Sequence, residues 1–416
     1  MLSPTTEKLY WTQPQARTFT ATVTAVRGWQ IALDQTLFYP EGGGQSCDAG
    51  TLSWAGQTGQ VTDVQKEGNV IWHTLAGQIS EPGTPELGTP EPGTPVTGTL
   101  DWGGRYRHSQ RHTAEHLLAQ AFWRVNPAFG VRSVGMRGPE CTLDLAGQPG
   151  ESHVVAAQAL LTETLREGLT LETVMVDVSA LSAYPLRRPP QVEGEVRVVL
   201  FRGPGGEIWE ASACGGTHLP FGVQAAPVVV LRTERVKGDL TRVTFMAGEE
   251  ATQRLSAVFG QAQTLARTFS VGVERLPERV ETLQAELKAA QNTAAALRRQ
   301  LAAGILARAD WKPVTSGQAA LIEAPLTGAE GDLLSPLLEA AGERTGSVTV
   351  VLTPDGGCGV ASGMAEYPAQ TLLNGWLARS GGRGGGRAAL ARGATERPDD
   401  FRLAVHAWLN ALPLPQ

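Results

Sequence analysis

The sequence predicts an α+β protein of several domains, and three observations support this fold class. Its 416 residues exceed one ordinary core and suggest about two to three domains. Short runs of alternating apolar residues, typical of half-buried strands, fill much of the first 75 residues. From about residue 108 onward, apolar residues at helical spacing alternate with further strand-like runs, so helices and strands are combined in one chain.

The composition excludes several classes of protein. Apolar residues make up 42% and charged residues 18%, and no run approaches the roughly 18 uninterrupted apolar residues of a membrane span. The first seven residues have neither a basic nor an apolar leader segment, so we expect a cytoplasmic location. A net charge of −6 means that any nucleic-acid contact must come from local basic clusters. The sequence has four cysteines, Cys47, Cys141, Cys214 and Cys358. Their wide spacing argues against a disulfide-stabilised domain.

The first domain is predicted at residues 1–98 as a small β-barrel or twisted sheet. Apolar residues alternate from Phe19 to Ala25, and two strand-like runs flank a turn at 67–69. From Glu81 to Gly98 the triplet Gly-Thr-Pro begins at positions 83, 88 and 93. Since these residues disfavour both helix and strand, we predict an exposed linker or an expanded loop there.

Residues 99–250 are predicted to form an α+β domain. Helices are expected over His108–Val125 and near His153–Glu167. Strands are expected at Leu171–Val178, Val196–Phe201, and in a closing hairpin at Val228–Leu231 and Arg242–Met246.

A helical connector at 251–310 and a C-terminal α/β domain at 311–416 complete the prediction. Between Leu276 and Leu301 apolar residues recur at alternating spacings of four and three, which is a heptad pattern. The pattern fits either a dimerising coiled coil or an antiparallel hairpin within one chain. The last domain has a strand at Ser347–Leu352, a helix near Gln370–Arg379 and the glycine-rich run Gly381–Arg387.

Four side chains form a candidate metal site. His112 and His116 lie four residues apart on a predicted helix and therefore project from the same face. Cys214-Gly-Gly-Thr-His218 places a thiolate and an imidazole on a loop that two glycines make adaptable. Together the four residues supply the nitrogen and sulfur ligands that tetrahedral Zn²⁺ prefers.

The pentapeptide His112-Thr-Ala-Glu-His116 also matches the H-x-x-E-H pattern of inverted zinc peptidases, whose glutamate is a general base. Those enzymes use a carboxylate as third ligand and keep water on the metal, whereas Cys214 and His218 would fill the shell here. If Cys214 and His218 complete the zinc site, Glu115 is a solvated helix residue. A zinc peptidase stays the alternative enzyme.

A second motif runs from Thr36 to Gln45, with the sequence Thr-Leu-Phe-Tyr-Pro-Glu-Gly-Gly-Gly-Gln. Three successive glycines expose backbone N–H groups to a ligand, and Gln45 offers both a donor and an acceptor. A flexible hairpin would have the same sequence pattern.

Three motifs in order, at 36–45, 112–118 and 214–218, resemble the editing domain of alanyl-tRNA synthetase and its free-standing AlaX relatives. The run Gly381–Arg387 resembles the DHHA1-type C-terminal domain of long AlaX proteins. The resemblance covers nearly the whole chain except the Gly-Thr-Pro segment. Because it starts almost at Met1, without room for an aminoacylation core, it implies a trans-acting deacylase that needs no ATP.

By this resemblance, zinc is bound by His112, His116, Cys214 and His218, and Gln45 is the active-site glutamine. Thr36 matches a threonine that senses the serine hydroxyl. The substrate implied is tRNA(Ala) mischarged with serine or glycine. We expect the backbone N–H groups of Gly43 and Gly44 to donate hydrogen bonds to the reacting carbonyl. The zinc ion would either orient the ester or a water molecule, or only shape the pocket.

Contacts to tRNA are expected from basic clusters at Arg105, Arg107 and Arg111 and at Arg383 and Arg387. A homodimer through 276–301 or the C-terminal domain is the other partner considered, and no membrane is expected. A zinc-stabilised RNA-binding protein without catalysis is the non-enzymatic alternative, since four ligands would saturate the metal.

Overall fold

The computed structural model describes residues 5–76, 88–188, 194–236, 238–324 and 333–414. The chain divides into two compact units, residues 1–264 and 265–416. The predicted α+β class is confirmed, because both units combine helices with largely antiparallel sheets. The finer division into four domains stays a prediction.

The first unit begins with a closed six-stranded antiparallel barrel, which confirms the predicted N-terminal barrel. Its strands follow the order β2-β3-β7-β6-β5-β8. Alternate residues along each strand point inward, so that Val23, Ile31, Leu52 and Ile71 are buried. The elements of this region are β1 (Glu7–Lys8), α1 (Leu9–Thr12), β2 (Thr18–Arg27), β3 (Gln30–Leu33), β4 (Gln35–Thr36), β5 (Gly50–Trp54), β6 (Gln57–Glu67), β7 (Val70–Leu75) and β8 (Pro95–Leu100).

The predicted linker was wrong at its C-terminal end. Residues 77–87 lie outside the described ranges, but β8 is a barrel strand that pairs with both β2 and β5. Gly98 lets this strand approach β2, since a Cβ there would lie 2.1 Å from the Phe19 ring. Pro95 can begin the strand because its missing N–H is tolerated at that position.

A histidine inside the barrel makes the stability of this unit depend on pH. His73 is fully buried, its Nδ1 lies 3.1 Å from the Ile31 carbonyl, and its Nε2 lies 2.9 Å from Thr36 Oγ1. Burial lowers the pKa of His73 to about 4. Because this pKa lies below that of an unfolded histidine, the unfolded chain binds more protons between pH 6.5 and 4, and acid favours unfolding.

As the pH falls from 7 to 5, His73 becomes protonated in the unfolded chain but not in the folded protein. We therefore expect the free energy of unfolding to fall by about 2 kcal/mol over this range because of His73. Denaturant unfolding of wild type and His73→Gln at both pH values measures this. The loss on acidification should be smaller in the variant by that amount, and parallel losses would refute the assignment.

The rest of the first unit surrounds one buried helix, α2. The predicted helix over 108–125 begins earlier, at Trp102, where Asp101 accepts a bond from the Gly104 N–H at 3.2 Å. Two sheets, ordered β14-β15-β10-β9 and β11-β12-β13, belong to the same region. The elements are α2 (Trp102–Val125), β9 (Val131–Gly135), β10 (Cys141–Ala146), α3 (Glu151–Glu167), β11 (Thr170–Asp177), β12 (Glu195–Arg202), β13 (Ile208–Ala213), β14 (Val228–Val236) and β15 (Leu240–Ala247). Helix α4 (Gly248–Thr268) follows and contains the boundary between the two units.

A buried ion pair ties α2 to the barrel. Arg105 is 1% exposed, and its guanidinium bonds the Asp48 carboxylate and the Leu37 carbonyl. Asp48 also accepts a 2.6 Å bond from the Tyr39 N–H. These contacts therefore fix the start of α2 against the segments on both sides of the turn at Gly42–Gln45.

The second unit contains a six-stranded sheet in the order β16-β17-β18-β19-β21-β20. The pairing of β17 with β18 is parallel and the other pairings are antiparallel. Among the helices of the described ranges, none is long and apolar enough to cross a membrane. The elements are α5 (Leu276–Ala307), β16 (Lys312–Val314), β17 (Gly317–Glu323), α6 (Leu334–Gly342), β18 (Ser347–Leu352), β19 (Gly357–Ser362), α7 (Ala369–Ser380), β20 (Gly382–Gly386), β21 (Leu390–Thr395) and α8 (Pro398–Ala411).

The heptad segment lies within the single continuous helix α5. Its C-terminal end packs into the unit through Ala302 and Leu306, whereas Leu287 and Leu297 are 60% and 58% exposed. The coiled-coil and hairpin interpretations both stay predictions.

Candidate metal centre

The four predicted ligands lie together between α2 and the loop that follows β13. His112 and His116 occupy successive turns of α2, and their rings pack against the ring of the loop residue His218, with the Cys214 thiol beside them. The donor atoms of all four residues lie within 4.8 Å of one another. This group could therefore hold a metal ion.

The distances fit a tetrahedral ion. Cys214 Sγ lies 3.4 Å from Nε2 of His112 and 3.4 Å from Nε2 of His218. Zinc bonds of about 2.3 Å to sulfur and about 2.0 Å to nitrogen separate such ligand atoms by about 3.5 Å. Three imidazoles and one thiolate are also a donor set that suits zinc.

Each histidine is oriented by a bond at its other ring nitrogen. Nδ1 of His112 lies 2.7 Å from Gln45 Oε1, and Nδ1 of His116 lies 3.4 Å from Glu210 Oε2. Nδ1 of His218 lies 3.4 Å from Thr113 Oγ1. The Gln45 and Glu210 oxygens only accept, so they hold Nδ1 of His112 and His116 protonated and leave Nε2 free to bind the ion.

The cluster stabilises opposite charges when no ion is bound. Burial opposes ionisation of the Cys214 thiol, but His112 and His116 outweigh it and hold the pKa of the thiol well below its usual value. Burial likewise opposes charge on His116, yet Glu210 and Cys214 raise its pKa well above the usual value. Since a ligand histidine must be neutral, metal binding has to release this proton and is favoured by higher pH.

Gln45 is a buried residue that contacts both His112 and Thr217. It is 1% exposed, its Nε2 donates to Thr217 Oγ1 at 2.9 Å, and its Oε1 accepts from the Thr217 N–H at 3.2 Å. Gln45 thus links residues 214–218, the CGGTH loop, to His112. It is not among the described residues that line the adjoining cavity. Its position supports an orienting role.

The glycines before Gln45 form a tight turn. Gly42 and Gln45 exchange backbone bonds of 3.2 and 3.0 Å, and Gly43 and Gly44 have φ values of +59° and +83°, which favour glycine. Gly43 lines the cavity, whereas the Gly44 carbonyl accepts a bond from the Met136 N–H.

Thr36 lies in the barrel interior. It is 0% exposed, its hydroxyl accepts from the Phe38 N–H at 3.0 Å, and the same oxygen lies 2.9 Å from His73 Nε2. Because Nδ1 of His73 faces a carbonyl, Nε2 is the acceptor and the Thr36 hydroxyl is its donor. The serine-sensing role stays a prediction, and Thr36 is not among the described residues that line the adjoining cavity.

A cavity of about 990 Å³ opens onto the metal site. His112, His116 and Cys214 form part of its wall, together with Tyr39, Gly43 and Trp123. The interpretation of Glu115 as a solvated residue was wrong. It is 6% exposed, lines the cavity, and lies 3.6 Å from His116 Nε2, because α2 is buried on several sides.

The arginines predicted near α2 are held in ion pairs. Arg105 has almost no exposed surface, and Arg111 is buried against Glu250 with bonds of 2.8 and 2.6 Å. Neither can contact a tRNA as it stands, because both guanidinium groups secure α2 instead. Arg107 is 37% exposed at its side chain and stays a predicted contact.

The second basic cluster lies on a sheet edge. Arg383 in the edge strand β20 and Arg387 just after it are both exposed. No ion pair of either arginine occurs within the described ranges. Both stay predicted tRNA contacts.

Sequence reasoning missed the residues that hold the CGGTH loop. Arg197 is buried and donates to the carbonyls of Cys214 and Gly216 at 2.9 and 3.0 Å. Trp11 Nε1 donates to the carbonyl of Gly215 at 2.8 Å. An arginine within the apolar strand 196–201 was a usable signal, whereas nothing near Trp11 in sequence pointed to the loop.

Comparison with known proteins relates this chain to the tRNA synthetases. Residues 5–102 match the family model described as tRNA synthetases class II (A). The alanine–tRNA ligase of Thermococcus kodakarensis is 33% identical over 408 residues, which is 95% of this chain and 42% of the ligase. That of Pyrococcus abyssi is 31% identical over 424 residues, which is 98% of this chain and 44% of the ligase.

The chain is thus homologous to alanyl-tRNA synthetases along nearly all of its length, and it spans less than half the length of these curated relatives. Among solved structures, the C-Ala domain of Aquifex aeolicus alanyl-tRNA synthetase matches with a TM-score of 0.22 and 20% identity. That match covers 25% of this chain and 97% of the domain.

Proposed function

We propose that this chain hydrolyses the ester of mischarged tRNA(Ala), releasing serine and, by the same chemistry, glycine. The observation that carries the proposal is the His/His/Cys/His cluster in the wall of a cavity, within a homologue of alanyl-tRNA synthetase. A synthetase pocket sized for alanine cannot exclude glycine by size and rejects an added hydroxyl poorly, so a second hydrolytic site is needed. A cytoplasmic location and action in trans stay predictions.

The residues of the chain position the ester more than they activate it. A zinc ion held by His112, His116, Cys214 and His218 would supply Lewis-acid polarisation, or with a full shell would only shape the wall. We assign the Gly43 backbone, which lines the cavity, to donation toward the ester carbonyl. Gln45 holds His112 in place through its Oε1, which lies 2.7 Å from Nδ1 of the ring.

The test is release of labelled serine from Ser-tRNA(Ala), compared with Ala-tRNA(Ala) and cognate Ser-tRNA(Ser). We expect Ser-tRNA(Ala) to be hydrolysed fastest, removal of metal by a chelator to slow the reaction at least about tenfold, and added zinc to restore it. Equal rates on the three substrates would refute the selectivity. Tight tRNA binding without release from any substrate would favour the zinc-stabilised RNA-binding protein.

A further inference from the structure

The cavity beside the metal site is bordered by cations that have no acidic partner. We call the four residues Lys8, Lys66, Arg132 and Arg188 the cationic rim, and all of them line the cavity. Three are exposed and Lys8 is half-buried. In the described ranges, no carboxylate lies within 4.0 Å of their charged groups, although the chain has a net charge of −6.

Lys8 and Lys66 are brought together by the fold. Lys8 belongs to β1 and Lys66 to the barrel strand β6, and the Thr6 N–H bonds the Asn69 carbonyl at 2.9 Å, which holds the N-terminal segment against that part of the barrel. Burial and the nearby charge of Lys66 lower the pKa of Lys8. Two like charges held together without a carboxylate repel each other, and a bound anion would offset that repulsion.

An aromatic ring stands at the same cavity. Trp123, in the last turn of α2, is 36% exposed and lines the cavity with Arg132. Spaced cations with an exposed aromatic ring are the combination by which proteins bind single-stranded nucleic acid, since phosphates meet the cations and a base stacks on the ring.

We propose that the cationic rim binds the single-stranded 3′ end of an RNA, with phosphates on Lys8 and Lys66 and a base stacked on Trp123. The inference rests on the proposed function, because it explains how an ester at that end is delivered to the metal site. Unpaired bases at an RNA end can splay and stack in this way, whereas bases within a duplex cannot.

The test uses the full chain with Lys8→Gln/Lys66→Gln, and Lys288→Gln/Arg299→Gln as a control. The control removes the same charge from two exposed positions of α5. The probe is a fluorescent tetranucleotide RNA ending in CCA, and its affinity is measured by anisotropy over a salt series. Loss of two phosphate contacts should reduce the slope of log K against log salt by about 1.4, and the control should keep the wild-type slope. Trp123→Ala should weaken binding about tenfold and leave the slope unchanged.

Steady-state kinetics distinguish a failure of the proposed RNA site from a failure of the proposed deacylase function. In Lys8→Gln/Lys66→Gln we expect KM for Ser-tRNA(Ala) to rise about tenfold, with kcat and the hydrolysis of serine methyl ester nearly unchanged. An unaltered slope, or the same loss in the control variant, would overturn the rim as an RNA site. If wild type binds the tetranucleotide with the expected slope but hydrolyses no ester, the RNA site stands and the deacylase proposal fails.

Discussion

Gly216→Ala is expected to weaken metal binding strongly, and Gly215→Ala to leave it unchanged. A Cβ at position 216 would lie 2.1 Å from Cε1 and 2.4 Å from Nδ1 of His112, distances that atoms in contact do not adopt. His112 cannot yield easily, because Gln45 Oε1 lies 2.7 Å from its Nδ1 and would itself lie only 3.1 Å from the added Cβ. At position 215 the nearest atom is Trp11 Cζ2 at 3.7 Å, which is ordinary contact. Neither glycine has a positive φ, so alanine fits the backbone at both.

We expect Gly216→Ala to weaken the apparent zinc affinity by at least about 10–100-fold. Losses of this size follow the removal of a residue that hydrogen-bonds to a metal-binding histidine. Ester hydrolysis should fall at least as far. Competition with a chromophoric chelator measures the affinity, and elemental analysis measures the metal bound after dialysis. Wild-type affinity in Gly216→Ala would mean that His112 does not bind the ion, and an equal loss in Gly215→Ala would mean that the loop as a whole is sensitive.

The sequence was most informative where a function depends on local spacing. His112 and His116 share a helix face because a helix repeats every 3.6 residues, and Cys214 and His218 share one short loop. Each pair could therefore be found without knowing the fold. That the pairs meet, 102 positions apart, was inferred from their complementary metal ligands and from the resemblance, since no local spacing links the two pairs.

The sequence was least informative about burial set by distant partners. Arg105 and Arg111 stand in a basic, polar stretch that predicts a solvated surface, but Asp48 and Glu250, 57 and 139 positions away, bury them. Glu115 was misjudged for the same reason, since α2 has little amphipathic pattern and yet is covered on several sides.

Asp48→Ala is expected to destabilise the first unit far more than removal of an exposed acid. The Asp48 side chain is 0% exposed and its partner Arg105 is 1% exposed, so the variant leaves a guanidinium in the interior without its counter-charge. Breaking a buried pair in this way costs about 3–5 kcal/mol. It also removes the acceptor of the Tyr39 N–H, which adds a second unsatisfied group.

The matched control is Glu67→Ala, because the Arg27–Glu67 pair has side chains that are 54% and 55% exposed. Exposed pairs contribute about 1 kcal/mol or less. Denaturant unfolding followed in the first unit should therefore separate the two variants by at least about 2 kcal/mol, with Asp48→Asn between them since the amide still accepts a bond. Equal losses in Asp48→Ala and Glu67→Ala would show that the interior pair is relieved by water or rearrangement. In that case the pair would not be what fixes α2, and with it His112 and His116, against the barrel.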